Sequence, residues 1–316
     1  MRLIRLAAAA VVVAVLALAP SAPARIPIRI AIGDQNATIF DHSAFQRARF
    51  ARVRYIVPWN VMDNPERLAR SDAYVRRARA AHISVLLHLS GDDFRIRKAR
   101  LPSVATYRRE VGRIVSHFRA LGVREFGAWN EANHASQPTW NRPGHAALFF
   151  MDMYRTVKRN CRTCVVVALN VLDQRGVERY MNRFYRRLSP TFRRRARVVG
   201  INNYGDVNRR RTTFTRSIIR QARHFNRRSR FWLTETGGIV KFGRSFPCST
   251  SRAASRLSWM FHLARLFRRS GLQRVYIYNW TSHGCSARFD AGLTGPSGAT
   301  RAGYGVVRRE MRNFLR

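Results

Sequence analysis

Two glutamates close two apolar runs in this sequence. Arg124-Glu125-Phe126-Gly127-Ala128-Trp129 leads into Asn130-Glu131-Ala132-Asn133, and Phe231-Trp232-Leu233-Thr234 leads into Glu235-Thr236-Gly237-Gly238. Both runs have the composition of buried strands. A carboxylate at the end of such a strand costs burial energy unless it has a partner or a task. Two of them facing one site would suit cleavage of a glycosidic bond. One carboxyl must stay protonated to assist the leaving oxygen, and the other must stay ionised to attack the anomeric carbon. A separation of about 5–5.5 Å would make the reaction retaining, and a wider one inverting. Sugar rings pack their C–H faces on aromatics, so Trp59, Trp140, Tyr204 and Trp280 are candidate subsite walls. Trp129 and Trp232 precede the strand ends and read as packing residues.

Eight apolar strands alternate with helical segments and supply the frame for these residues. The strands are expected at 28–33, 53–57, 83–89, 124–129, 165–169, 198–201, 230–235 and 274–280. Asn64-Pro65 starts one helix and Gly122 closes another, which begins at Ser103. Further helices are expected at 41–50, 143–159, 176–188, 212–227, 251–270 and 302–315. Strict alternation implies a parallel sheet, and eight units imply an α/β fold of the single (β/α)8 barrel type. An open doubly wound sheet is the alternative, but no G-x-G-x-x-G follows the first strand. In a barrel the strand ends share one face, which would gather Asp34, Trp59, His88, Glu131, Asn170, Tyr204, Glu235 and Trp280.

The ends of the chain and its charge bear on location. Met1-Arg2-Leu3-Ile4-Arg5 opens a short apolar run that closes at Ala22-Pro23-Ala24. That pattern predicts a secretory signal peptide over 1–24, with the barrel domain over 25–316 and an extracellular location, cell-wall association included. The 316 residues carry a formal charge of +42, almost all of it arginine. Such a chain attracts polyanions at low salt, although most of these arginines read as solvated helix faces. Export permits disulfides. Cys161 and Cys164 form an isolated C-x2-C without the further ligands a zinc site needs, leaving a local disulfide or two free thiols. Cys248 and Cys285 follow the seventh and eighth strands on adjacent loops, which predicts a disulfide between them.

Trp-Asn-Glu at strand four with Thr-Glu-x-Gly at strand seven resembles clan A of the retaining glycoside hydrolases, families 5 and 39 with their cellulase-like and xylosidase-like members. The resemblance spans the mature chain. It implies Glu131 as acid/base, Glu235 as nucleophile and Asn130 as a ligand of the neighbouring sugar hydroxyl. Arg54 resembles the arginine that keeps the nucleophile ionised. His88 resembles a substrate-contacting histidine, Tyr204 the tyrosine that bonds the nucleophile, and Trp280 the floor of a subsite. The stretches 289–293 and 298–301 resemble the end of such domains. Two positions depart from the pattern: Ala132 stands where Pro often follows the acid/base, and Asn202 stands where many members carry His.

The function expected is therefore a retaining glycosidase acting as a monomer on a β-linked poly- or oligosaccharide. No metal or organic cofactor is indicated. An acidic glycan is included among the partners, with Arg95 or Arg97 as candidates to hold its carboxylates. The competing readings are a catalytically silent carbohydrate-binding barrel and a polycationic surface protein that binds acidic wall polymers.

Overall fold

The computed structural model describes residues 27–315. The expected signal peptide lies outside the described residues. Eight parallel strands close into a barrel: β1 (Arg29–Gly33), β2 (Arg52–Pro58), β3 (Ser84–Ser90), β4 (Glu125–Gly127), β5 (Val165–Leu172), β6 (Val198–Asn202), β7 (Arg230–Thr236) and β8 (Leu272–Tyr278). β8 returns to pair with β1 from Arg29↔Arg274 to Gly33↔Tyr278, which closes the sheet. The (β/α)8 expectation is met, and the doubly wound alternative falls.

Two of the longer helices show how caps set their ends. Asn64 accepts from the Arg67 amide at 2.9 Å and Pro65 follows it, so the helix Pro65–Ala80 starts there. Ser103 accepts from the Thr106 amide at 3.0 Å and opens Val104–Ala120. Gly122, at φ 89°, takes the left-handed turn that ends that helix. The strands differ from expectation at their ends. β4 stops at Gly127, so Ala128 and Trp129 already belong to the loop. β8 stops at Tyr278, two residues short of Trp280. A short antiparallel ribbon, Lys241–Phe242 with Phe289–Asp290, joins the loops after β7 and β8.

Two layers fill the barrel. A small apolar cluster of Ala31, Leu86, Val167, Val198, Trp232 and Tyr276 occupies the interior. Beside it Glu125 takes an ion pair from Arg52 at 2.8 Å and another from Arg274, whose guanidinium lies 3.6 Å from the Trp232 ring centre. Toward the carboxyl ends the interior becomes polar, with Arg54, His88, Asn170, Asn202 and Thr234 all buried. Such groups are tolerated inside only when they satisfy one another. The large apolar core lies between the barrel and the surrounding helices.

Candidate active site

Arg54 on β2 is the hub of the buried polar layer. Its Nη1 donates to Glu235 Oε2 at 2.8 Å, its Nη2 to Asn130 Oδ1 at 2.6 Å and its Nε to His88 Nδ1 at 3.2 Å. Because Nδ1 accepts, the His88 proton sits on Nε2. Burial, reinforced by the Arg54 charge, holds His88 neutral with its pKa well below the ordinary value. Gly127 on β4 makes the room: a Cβ there would lie 2.1 Å from the His88 ring.

A second set of side chains sets the height of the carboxylates. Asn170 on β5 accepts from the Glu131 amide at 2.7 Å, and its Nδ2 donates to Asn202 Oδ1 at 2.9 Å and Thr234 Oγ1 at 2.7 Å. The Thr234 hydroxyl donates to Asn202 Oδ1 at 3.0 Å. These bonds fix the amide of Asn202 with its Nδ2 toward the cleft, where it meets Glu131 Oε1 at 3.1 Å and Glu235 Oε2 at 3.3 Å. Glu131 itself adopts φ 44°, in the left-handed region that costs a non-glycine residue about 1–2 kcal/mol. The loop is clamped on both sides: the Asn130 amide donates to Leu89 O at 2.6 Å and the Ala132 amide to Asn170 O at 2.9 Å. Backbone strain concentrated at one residue of a cleft marks a position held for use.

The two carboxyls live in opposite environments. Glu235 receives three donors, from Arg54, from Asn202 and from the Tyr204 hydroxyl at 3.1 Å. A carboxyl surrounded only by donors is served as the ionised, acceptor-only form. Tyr204 keeps its proton, since burial and the adjacent Glu235 charge push its pKa well up. Among the described residues the Glu131 carboxyl has only the Asn202 amide, with His134 Nδ1 at 3.9 Å. Burial, with repulsion from Glu235, raises Glu131 to about 7. Near neutrality the raised Glu131 can hold a proton beside a carboxyl that donors alone contact. Asp173, raised by burial to about 8, accepts from the amides of Gly205 at 2.8 Å and Asp206 at 2.6 Å and so anchors the loop that carries Tyr204.

Both glutamates open into a cleft of about 660 Å³. Tyr204, Tyr278, Phe94, Phe242, Phe246 and Phe289 form its walls, with Asn130 beside Glu131. Phe94 is 59% exposed, an apolar face turned to solvent at the rim. Among the described residues no group of His, Cys, Asp and Glu is gathered closely enough to hold a metal ion.

The residues expected from sequence separate into three groups. Glu131, Glu235, Asn130 and Tyr204 meet in the cleft, while Arg54 and His88 lie beneath it, wholly buried. Trp280 and Trp59 are corrections. The Trp280 ring is 2% exposed and packs edge-on against His42, Phe45 and Tyr304, away from the cleft. Alternation along β8 ends at Tyr278, so it is the Tyr278 ring that enters the cleft. Trp59 is buried in the core beyond Pro58, the last residue of β2. Trp140 lines a neighbouring groove, with Arg97 5.4 Å from its ring centre, and Arg95 is paired with Asp93 at 2.5 Å. Sequence reasoning placed Asn170 at a strand end on this face without a role, and it missed Tyr278, Phe289 and Thr234 as parts of the site. It marked Asn202 only as a departure, although that amide is the donor the two carboxyls share. Cys248 and Cys285 are bonded with Cα atoms 5.6 Å apart, tying the loops after β7 and β8, and Cys161 is bonded to Cys164.

No family model matches the sequence, and no curated protein does. Solved structures do match. A glucosidase from Croceicoccus marinus superposes with TM-score 0.67 at 15% identity, over 92% of this chain and 68% of that one. The fold is that of the barrel glycosidases. A fungal β-1,4-galactanase gives a match with TM-score 0.66 at 12% identity, over 90% of this chain and 99% of the other. A family 39 β-xylosidase from Caulobacter crescentus gives 0.63 at 14%, over 90% and 71%. The family 39 member among them accords with the resemblance carried by the strand-end motifs.

Proposed function

We propose that this chain is a retaining glycoside hydrolase acting on a β-linked oligo- or polysaccharide. One observation carries the proposal: a single amide nitrogen, that of Asn202, hydrogen-bonds both Glu131 and Glu235. The bonded oxygens are thus no farther apart than two hydrogen-bond lengths. That bound accommodates the roughly 5–5.5 Å of a retaining pair and supports this reading.

In the first step a Glu235 oxygen bonds to the anomeric carbon as the bond to the leaving oxygen breaks. Glu131 gives that oxygen its proton. In the second step Glu131, now ionised, takes a proton from water. The water oxygen bonds to the anomeric carbon and releases Glu235. Arg54 and Tyr204 position Glu235, and Asn130, held by Arg54, presents its amide to the sugar. Tyr278 and Phe289 wall the site. The names of the similar structures, galactanase and xylosidase among them, support a β-linked substrate. The apolar N-terminal run and the paired cysteines support an exported enzyme.

The test is a panel of aryl glycosides and β-glycans incubated with the wild type and with Glu235→Gln. Product anomers are followed by NMR. Release of the β-anomer from β-glycosides, lost in the variant, is expected. Initial release of the α-anomer would overturn the retaining assignment, and undiminished turnover by the variant would remove Glu235.

A further inference from the structure

A second groove, of about 550 Å³, opens beside the cleft. His134 and Gln174 line both, so the two adjoin across these side chains. The groove starts on the Glu131 side, where His134 Nδ1 stands 3.9 Å from Glu131 Oε2. In the proposed reaction Glu131 protonates the leaving oxygen. A groove departing from that residue is therefore placed for the sugar units beyond the scissile bond.

Arginines define its outer wall. Arg179 and Arg183 occupy successive turns of the helix Val177–Arg187, about 6 Å apart along its axis, and Arg175 precedes them in the loop from β5. All three are exposed, and none has a side-chain ion pair or hydrogen bond among the described residues. Like charges four residues apart weaken a helix by a few tenths of a kcal/mol. The acid on the same helix, Glu178, is instead engaged by Ser217. An unpaired arginine is ordinary in so basic a chain, so charge alone carries nothing here. What singles out this row is its place. It lines, with Trp140, a half-buried aromatic, a concave surface that adjoins the catalytic cleft, and Arg97 adds its guanidinium over the Trp140 ring. Arginine forks take carboxylates in a bidentate grip, and an aromatic face takes the ring that bears them.

We infer that this groove is a leaving-group-side subsite for a carboxylate-bearing glycan, a uronate-containing chain. The inference rests on the proposed activity for its direction along the chain, not for the binding itself. The experiment measures binding by calorimetry in a Glu131→Gln background at physiological salt. The probes are a short β-1,4-linked oligouronate and the same oligosaccharide after reduction of its carboxyls. The groove variant is Arg175→Gln/Arg179→Gln/Arg183→Gln. The control, Arg47→Gln/Arg76→Gln/Arg309→Gln, removes the same charge from exposed arginines elsewhere.

The groove variant should lose about tenfold in affinity for the oligouronate and the control less than about twofold. The reduced chain should bind weakly to all forms. Trp140→Ala should weaken both probes. Equal losses in the two triple variants, equal affinity for the reduced chain, no binding, or unchanged binding by Trp140→Ala would each overturn the inference. So would a single-stranded oligonucleotide bound as tightly as the oligouronate and lost in the same variant. Binding as expected by a protein that hydrolyses no glycoside would overturn the proposed activity and leave the subsite standing. Hydrolysis with a groove indifferent to charge would do the reverse.

Discussion

Glu131 and Glu235 share one hydrogen-bond donor. Asn202 Nδ2 lies 3.1 Å from the first and 3.3 Å from the second, while Asn170 and Thr234 hold the other end of the same amide. The spacing of the carboxyls is thus built into three strand ends, β5, β6 and β7. The difference between the two carboxyls comes from Arg54 and Tyr204, which serve Glu235 and leave Glu131 without a cationic partner in contact.

The acid role proposed for Glu131 has a substrate-dependent signature. Glu131→Gln should lower kcat/KM by about 10²–10⁴-fold on glycosides with poor leaving groups. The loss should be much smaller for the attack step on nitrophenyl glycosides, whose leaving oxygen needs little protonation. Steady-state kinetics across a leaving-group series checks this, and equal losses throughout would deny Glu131 the proton transfer.

The pH profile follows from the raised Glu131 carboxyl. The acid must be protonated, so kcat/KM should fall with an alkaline limb near pH 7. Asn202→Ala removes the hydrogen bond that lowers this pKa, and the limb should move upward. A limb that stays in place in that variant would separate it from Glu131.

The same shift affects stability, with a definite sign. The folded-state pKa of about 7 stands above the ordinary 4.5, so the unfolded chain loses its proton first as pH rises. Stability falls between those two values and the cost is complete above the upper one. Glu131→Gln lacks the penalty. It should match the wild type at pH 4 and exceed it at pH 8 by on the order of 1–3 kcal/mol, measured by urea denaturation. A variant no more stable at pH 8 than at pH 4, relative to wild type, would contradict the burial cost.

Arg54→Met should be among the most damaging single changes. It strands Glu235, Asn130 and His88 without their common partner, at a cost of about 3–5 kcal/mol. Arg54→Lys should recover only part, because an ammonium lacks the planar fork that reaches all three. Denaturation midpoints compare the two, and a loss below about 1 kcal/mol in Arg54→Met would argue that water replaces the guanidinium.

Tyr278 and Trp280 should separate activity from stability. Tyr278→Ala removes a cleft wall and should lower kcat/KM by about 10–100-fold with a modest change in Tm. Trp280→Ala empties a core position and should cost about 3–5 kcal/mol. The reverse pattern would restore Trp280 to the substrate.

Most of the architecture was readable in the sequence, because eight apolar runs with alternating helices admit few topologies and some helices announce their starts, as Asn64 and Ser103 do. The two glutamates were readable for the same reason: placing them needed only the order of the strands. The buried layer beneath them was not. Arg54 on β2 and Asn170 on β5 could be named singly, but they, Asn202 on β6 and Thr234 on β7 come from distant stretches, and no local pattern says which of these groups satisfy one another. Gly127 and Gly200 were the available signal. Each is the small residue beneath a large polar neighbour, with Cβ positions 2.1 Å from the His88 ring and 2.7 Å from Thr234 Oγ1. The aromatic walls went astray through a different cause. Which of Tyr278 and Trp280 faces the substrate depends on where β8 stops, and strand ends are set by tertiary bonds. Asp34, at the end of β1, accepts from the Trp280 and Thr281 amides at 3.0 and 2.7 Å and turns the chain there. Chain order thus determined the fold and the two carboxyls. Only the closed barrel decided their spacing, the proton on Glu131 and the ring that the substrate meets, because those depend on contacts between strands rather than along them.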